Sequence, residues 1–149
     1  MTEKSKILFL CTGNSCRSQM AEAWTNQLKG DKFEAYSAGV APKPIDARAI
    51  QAMAEAGVDI SGQKSKDLDV FGSLEFDYVI TLCDNARESC PYFPAKTRVI
   101  HKGFEDPPKL AENAKTEEEA MSHYRRVRDE IRAFVERLPD ELSTDVGKK

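Results

Sequence analysis

Residues 6–24 read KILFLCTGNSCRSQMAEAW, and this stretch decides the fold. The apolar run that ends at Leu10 predicts a buried strand, of the kind found at the centre of a parallel sheet. A turn-rich segment follows, and beyond it apolar residues return at helical spacing, at Met20, Trp24 and Leu28. A strand, a tight loop and a helix are therefore expected in direct succession.

The rest of the chain alternates strands and helices in the same way. Further strands are predicted at residues 33–37, 78–82 and 97–101. Asp46 suits the N-terminus of a second helix, and Thr116 with Glu119 forms a capping box ahead of a long third one. This alternation predicts an α/β fold in a single domain, with a central parallel sheet of four strands flanked by helices on both faces. Ligands of such sheets bind at the carboxyl ends of the strands.

Length and charge narrow the classes of function. The 149 residues suffice for one domain, which we place at residues 1–139; residues 140–149 carry little apolar surface and are expected to form a frayed tail. The net charge of −3 supplies no field that would attract nucleic acid or an anionic membrane, so neither partner is expected. The apolar run before Cys11 is too short for a secretory signal or a membrane span, which favours a cytoplasmic protein.

The four cysteines, Cys11, Cys16, Cys83 and Cys90, need an explanation other than structural cross-linking. A domain of this size buries enough surface to be stable without disulfides. In a reducing cytoplasm, cysteines are more often catalytic, redox-active or metal-binding. Zinc fits poorly, because a site of four thiolates usually draws them as two close pairs. We expect no metal and no cofactor.

The loop from Cys11 to Ser18 has the composition of an anion cradle. Backbone N–H groups of a tight loop that opens into a helix converge on one point and bind tetrahedral oxyanions, and the planar guanidinium of Arg17 suits bidentate capture of two oxygens. The same field should hold Cys11 as a thiolate at neutral pH, with the Ser18 hydroxyl donating to its sulfur. A lone cysteine at a strand end is more often structural, but the Cys-x5-Arg-Ser spacing is much more specific. The predicted substrate-binding residues are Thr12, Gly13, Asn14, Ser15, Cys16, Arg17 and Ser18.

Cys83 follows the third predicted strand, and Cys90 stands seven residues later. Two turns of helix would separate their Cα atoms by roughly 10 Å along the axis, whereas a disulfide needs about 4.4 to 6.8 Å. The segment must therefore unwind before the two sulfurs can be joined, which fits a redox switch better than a permanent bridge. On spacing alone, two unrelated cysteines remain the alternative.

Residues 10–22, LCTGNSCRSQMAE, resemble the signature of the low-molecular-weight protein tyrosine phosphatase superfamily. Within that superfamily the chain is more similar to the thioredoxin-coupled arsenate reductases. The resemblance extends over nearly the whole chain except the tail, with further matches in residues 36–39, 81–83, 103–107 and 126–131.

This resemblance implies the reduction of arsenate to arsenite, with a role for each of five residues. Cys11 is the nucleophile, Arg17 holds the oxyanion, and Asp106 is the general acid, although an Asp-Pro pair by itself most often only forms a turn. Cys83 and Cys90 act as a relay, through a Cys11–Cys83 and then a Cys83–Cys90 disulfide that thioredoxin reduces. Relatives linked to glutathione usually lack the Cys-x6-Cys arrangement, so thioredoxin is favoured over a glutaredoxin system. A monomer is expected.

Two other functions stay open. A protein tyrosine phosphatase would use Cys11, Arg17 and Asp106 for the same first step, and a weak phosphatase activity is expected in any case. Against that function, Pro108 stands where an aromatic residue shapes a phosphotyrosine slot, Gln19 replaces the usual proline, and the second cysteine pair has no role in hydrolysis. A non-catalytic anion or thiol sensor is the third alternative, but nucleophile, cradle and acid would then be superfluous.

This sequence differs from some similar arsenate reductases at a site where those relatives hold a potassium ion near the loop. The residues that match its ligands are Asn14, Glu22 and Ser37. After the residue that corresponds to Ser65, however, those relatives have an aspartate where this chain has Lys66. We expect the Lys66 ammonium to take the place of the cation, and therefore little dependence on potassium.

Overall fold

A computed structural model of the chain describes residues 4–83, 95–96 and 98–144. Four parallel strands form one sheet: β1 (Ser5–Leu10), β2 (Phe33–Ala38), β3 (Tyr78–Thr81) and β4 (Arg98–His101). Their order is β2-β1-β3-β4, so β1 has a neighbour on each side. The last residue of β1, Leu10, is in register with Ala38 of β2 and Thr81 of β3. The predicted α/β fold with a central parallel four-stranded sheet is confirmed, and the carboxyl end of β1 lies in its middle.

The three predicted helices begin within one residue of their expected positions, and two short helices that were not predicted join them. The described residues form α1 (Arg17–Lys29), α2 (Ala47–Glu55), α3 (Pro107–Ala111), α4 (Glu117–Glu136), α5 (Asp140–Thr144) and a 3₁₀ helix (Leu68–Phe71). The Asp46 carboxylate accepts a hydrogen bond from the Arg48 N–H, and the Thr116 hydroxyl accepts one from the Glu119 N–H. Each cap satisfies a backbone donor that the first helical turn leaves unpaired. Among the described helices, none combines the length and the apolar character that a membrane span requires.

Side chains that alternate along β1 enter two separate cores, because successive residues of a strand point to opposite faces. Ile7 and Phe9 face a large core filled by side chains of α1, α2 and α4. Leu8 and Leu10 face a smaller one, to which Phe76 and the 3₁₀ helix contribute. Both faces of the sheet are therefore covered, and only its edges are left to receive a ligand.

Trp24, the single tryptophan of the sequence, ties α1 to α4 within the large core. Its side chain is 2% exposed. The guanidinium carbon of Arg132 on α4 lies 4.9 Å from the centroid of its ring, which is a cation–π contact. The helix that begins at the cradle is thus fixed against the longest helix of the fold.

The tail is shorter than predicted. Asp140–Thr144 forms α5, and Leu142, 4% exposed, packs into the large core. The prediction of a frayed tail was wrong for residues 140–144. It rested on the average composition of ten residues, whereas the single apolar side chain of Leu142 is enough to pack the short helix α5 against the core. Residues 145–149 lie outside the described part of the chain.

Candidate active site

The predicted anion cradle lies between the end of β1 and the start of α1. The Cys11 N–H donates to the Ala38 carbonyl at 3.3 Å, and the Leu82 N–H donates to the Leu10 carbonyl at 2.8 Å. Both neighbouring strands therefore fix the backbone up to Cys11. Cys16 is the N-cap residue of α1. The loop between these two cysteines stands at the centre of the carboxyl edge of the sheet.

Gly39, the residue after β2, allows the chain to pass directly against this loop. A Cβ atom at Gly39 would lie 2.5 Å from the Thr12 carbonyl oxygen and 2.8 Å from that of Cys11, closer than atoms can pack. The next two N–H groups, of Val40 and Ala41, donate to the same Thr12 oxygen at 3.1 and 3.0 Å. The sequence marked Gly39 only as a turn residue, since nothing local reveals which backbone approaches it.

Asn14 carries the strained conformation of the loop. Its φ of 49° lies in the left-handed region, which asparagine adopts more readily than most residues. Its side-chain Nδ2 donates to the Ser18 Oγ at 2.8 Å, and that Oγ lies 2.9 Å from the Cys11 Sγ. Because Ser18 accepts from Asn14, its own hydrogen is available for a bond to the Cys11 sulfur.

Arg17 is the buried cation of the site, with a side chain 3% exposed. Its Nη1 donates to the carbonyls of Phe104, at 3.1 Å, and Leu82, at 3.4 Å. Its Nη2 lies 3.6 Å from a carboxylate oxygen of Asp106. The guanidinium is thereby anchored to the segments that follow β3 and β4, with its charge held at the mouth of the cradle.

Asp106 stands opposite the loop, as the N-cap residue of α3. Its side chain is 35% exposed, so it reaches both the solvent and the Arg17 guanidinium. Between Asp106 and the loop lies a cavity of about 390 Å³. The predicted site residues on its wall are Cys11, Thr12, Gly13, Ser15, Cys16, Arg17 and Asp106. The other two predicted substrate-binding residues, Asn14 and Ser18, are fully buried and do not line this cavity.

Apart from Pro108, which the sequence marked as a replacement for an aromatic residue, the rim of the cavity adds residues that the sequence did not assign to the site. Lys43 and Lys109 bring two cations, while Pro44, Pro108 and Leu110 supply apolar surface. These residues come from the connection after β2 and from α3. No local pattern assigns them to a site, because the fold alone brings the two segments to one edge.

Asp46 joins the wall of the cavity to α4. It lines the cavity, and its Oδ2 accepts a short hydrogen bond from the Tyr124 hydroxyl. Burial and this carboxylate raise the pKa of Tyr124 well above its usual range, so the phenol remains a donor. Burial, with Asp46 as the next cause, also raises the pKa of Cys16 well above its ordinary value. Cys16 is accordingly a neutral thiol at pH 7, which suits a packing residue of the loop.

Cys83 is fully buried one residue beyond Leu82, at the carboxyl end of β3. The Leu82 N–H pairs with Leu10, the residue before Cys11, so the two cysteines follow adjacent strands at the same edge. Within the described part of the chain, no disulfide joins Cys11, Cys16 and Cys83 to one another. Cys90, and with it the predicted Cys83–Cys90 pair, lies outside the described residues.

The residues matched to a cation site do converge behind the loop. The Lys66 Nζ lies 3.9 Å from the Glu22 Oε1, and the same carboxylate oxygen accepts a hydrogen bond from the Ser37 hydroxyl. The Lys66 N–H donates to the Asn14 Oδ1 at 2.8 Å. Burial raises the pKa of Glu22, against the opposing effects of Ser37 and Lys66. The Lys66 ammonium therefore lies beside the partly buried carboxylate of Glu22.

Comparison with known proteins gives concordant results. The model of the family described as low molecular weight phosphotyrosine protein phosphatase matches residues 6–148. An arsenate reductase from Bacillus licheniformis is 47% identical over 137 residues, which cover 92% of this chain and 96% of that protein. An arsenate reductase from Bacillus subtilis is 46% identical over 129 residues, covering 87% and 91%.

Solved structures show the same relationship. An arsenate reductase in a phosphate-binding state superposes with a TM-score of 0.73 at 30% identity, covering 93% of this chain and 99% of that one. The arsenate reductase of Archaeoglobus fulgidus gives 0.70 at 32% identity, covering 89% and 97%. Because the family model matches residues 6–148, nearly the whole chain, this chain belongs to the low molecular weight phosphotyrosine protein phosphatase family.

Proposed function

We propose that the protein reduces arsenate to arsenite by a three-cysteine relay, with thioredoxin as the electron donor, as a monomer in the cytoplasm. One observation carries the proposal: the Cys11 sulfur, within hydrogen-bonding distance of the Ser18 hydroxyl, lies at the floor of an oxyanion cradle, and the neighbouring strand β3 is followed by a second cysteine, Cys83. A hydrolase needs the first thiol only. The names of the Bacillus relatives as arsenate reductases support the same reaction.

The first step forms a bond between sulfur and arsenic. The Cys11 thiolate attacks arsenic(V) while the loop N–H groups and the guanidinium of Arg17 hold the remaining oxygens. One arsenic–oxygen bond breaks, and Asp106 supplies the proton with which that oxygen leaves as water. The position of Asp106 near Arg17, facing the loop across the cavity, supports this assignment.

The second step transfers the electrons. The Cys83 thiolate attacks the sulfur of Cys11, so a sulfur–sulfur bond forms as the sulfur–arsenic bond breaks. The electron pair of the broken bond remains on arsenic, which becomes arsenic(III) and leaves as arsenite. The two thiols are oxidised to the Cys11–Cys83 disulfide. Adjacent strands that bring both residues to one edge of the sheet favour this exchange.

The third step regenerates the nucleophile. Cys90 attacks Cys83, the Cys83–Cys90 disulfide forms, and Cys11 is released as a thiolate. A thioredoxin dithiol then reduces the new disulfide and is itself oxidised. The seven-residue spacing fits a transient bond, since a helix over these residues would hold the two Cα atoms too far apart for a disulfide.

Hydrolysis of phosphate esters is the second candidate, because the family is named for it and the first step would be the same. The cavity argues for a smaller ligand. In the part of the chain that the structure describes, its rim offers Pro44, Pro108, Leu110 and two lysines, and no aromatic side chain lines it. A phosphotyrosine ring would therefore lack a stacking partner, whereas a free oxyanion needs none. We expect only a weak phosphatase activity.

The test follows NADPH oxidation with arsenate, thioredoxin and thioredoxin reductase. Wild type should turn over many times, whereas Cys11→Ser should release no arsenite. Cys83→Ser should stop at the arsenic adduct, and Cys90→Ser should yield one arsenite per chain with the Cys11–Cys83 disulfide trapped. Multiple turnover by Cys83→Ser would disprove the relay. Rapid hydrolysis of aryl phosphates by a wild type that is silent with arsenate would establish the phosphatase instead.

A further inference from the structure

Gln19 is a fully buried amide that the reaction does not use. It lies on α1, at the position where the resembling phosphatases have proline. Its Nε2 is within hydrogen-bonding distance of three acceptors: the Asn14 carbonyl at 2.9 Å, the Asn14 Oδ1 at 3.0 Å and the Lys64 carbonyl at 3.0 Å. Its Oε1 accepts from the Gln63 Nε2 at 2.6 Å. The side chain thus connects the cradle to the segment of residues 63–66.

The orientation of these amides is determined by backbone groups. Two backbone carbonyls, which can only accept, face the Gln19 Nε2 and identify it as the donor end. The Lys66 N–H, which can only donate, points at the Asn14 Oδ1 and identifies it as the acceptor end. The other end of the Asn14 amide, Nδ2, is therefore the one that meets the Ser18 hydroxyl.

The direction of the next hydrogen bond follows from that orientation. With Nδ2 donating to the Ser18 Oγ, the hydroxyl hydrogen is left for the Cys11 sulfur, 2.9 Å away. If the Asn14 amide turned over, its oxygen would face Ser18 and compete for the same hydrogen. The thiolate of Cys11 would then lose a donor, and its charged form would be less favoured.

We propose that Gln19 is a positioning residue which, braced by Gln63, fixes the Asn14 amide and so directs the Ser18 hydroxyl to Cys11. The proposal rests on the proposed function only through the role of Cys11 as the reactive thiol. Gln19 touches neither substrate nor sulfur. Its effect reaches the nucleophile through two intervening side chains, Asn14 and Ser18. The segment that holds Gln19 itself in place lies more than forty residues further along the chain.

Alkylation of Cys11 by iodoacetamide as a function of pH tests the proposal, with the modified peptide quantified by mass spectrometry. Gln19→Met keeps the length of the side chain and removes its hydrogen bonds. We expect the pH of half-maximal alkylation to rise by about one unit, and kcat at pH 7 to fall about tenfold, since one unit corresponds to a tenfold change in thiolate fraction. KM for arsenate should change less than kcat, and raising the pH should restore part of the rate.

Two further variants complete the experiment. Gln63→Met removes the brace, and its alkylation profile should shift in the same direction by a smaller amount. Gln27→Met, an exposed glutamine on the same helix, is the matched control and should behave as wild type. If Gln19→Met fails to fold, Gln63→Met carries the test, because its side chain is only half-buried.

A Gln19→Met protein that folds, loses activity and keeps the wild-type alkylation profile would overturn the proposal, since Gln19 would then be merely structural. An unchanged profile in both variants would overturn it equally. Alkylation requires neither arsenate nor thioredoxin. A shifted profile therefore supports the proposal even if wild type fails to reduce arsenate, in which case only the proposed function is lost.

Discussion

On the side of the cradle loop that faces the cavity, which we call the front, the Arg17 guanidinium donates to two carbonyls and lies 3.6 Å from the Asp106 carboxylate. On the side that faces the protein, Asn14 receives hydrogen bonds from Gln19, Ser65 and Lys66, all between 2.8 and 3.0 Å. The front keeps the Arg17 charge available to an incoming oxyanion. On the side that faces the protein, which we call the back, the polar groups of Asn14 form hydrogen bonds with other residues of the protein. Substitutions at the front should therefore abolish most of the activity, and those at the back should cause smaller changes in rate or stability.

The largest effect is expected from Arg17→Lys at the front. An ammonium cannot replace the planar fork that holds two oxygens, nor reach both the Phe104 and the Leu82 carbonyls. We expect arsenate turnover to fall about a thousandfold, as for the loss of a principal oxyanion donor. Calorimetric titration with arsenate should show binding weakened in parallel. Turnover within tenfold of wild type would mean that Arg17 is not a principal donor to the oxyanion.

Asp106→Asn should have the next largest effect. The amide keeps the shape of the side chain but has no proton to give to the leaving oxygen, so the rate of arsenite formation should fall about a hundredfold. Single-turnover measurements with Cys90→Ser as the background isolate this step from reduction by thioredoxin. Asp31→Asn, an exposed aspartate far along the chain, serves as the control and should retain the full rate. If the rate of arsenite formation fell equally little in both variants, Asp106 would not be the general acid.

Lys66→Met probes the back of the loop. Wild type should give the same turnover in potassium and sodium buffers, because the Lys66 ammonium lies beside Glu22. The variant leaves that carboxylate without its cation, so turnover should fall about threefold, in keeping with the modest energy of a partly exposed ion pair, and potassium should restore it. Lys64→Met, with an exposed side chain, is the control. A clear gain in rate or stability when potassium is added to wild type would contradict this assignment.

Glu22→Gln should have the smallest effect, visible in stability rather than in rate. Burial raises the pKa of Glu22 in the folded protein, so this carboxyl favours folding at low pH and loses that contribution as the pH rises through its folded pKa. The glutamine does not ionise. The free energy of unfolding of the variant minus that of wild type should therefore be larger at pH 7 than at pH 4, as measured by urea denaturation. The variant thus gains stability relative to wild type as the pH rises. A difference independent of pH, like that of the exposed Glu112→Gln, would refute the shift.

Local signals in the sequence were sufficient for the parts of the site that lie close together along the chain. The apolar run, the turn residues and the helical spacing predicted the succession from β1 to α1, and Asp46 and Thr116 marked helix starts because a cap acts on its own first turn. The role of Asp106 came only from resemblance, since a single Asp-Pro pair has no distinctive pattern.

The contacts at the back of the loop could not be predicted from local signals in the sequence. The partners of Asn14 on residues 64–66 are about fifty positions away, and only the folded sheet brings them together. The sequence singled out Gln19 as a departure from the phosphatases but gave no sign of what its amide contacts. Lys66 was predicted to stand near Glu22 through the matched residues of relatives, not through any periodicity.

The packing of Trp24 offers an optical control for all of these variants. Since the chain has one tryptophan, its emission comes from a single indole, buried between α1 and α4 with Arg132 above the ring. That indole lies on the helix that begins at the cradle, yet it is outside the cavity wall. An unchanged emission maximum in an inactive variant would report an intact core, and a red-shifted one would report exposure of the indole to water. Fluorescence of the unlabelled protein can thus separate lost chemistry from lost structure.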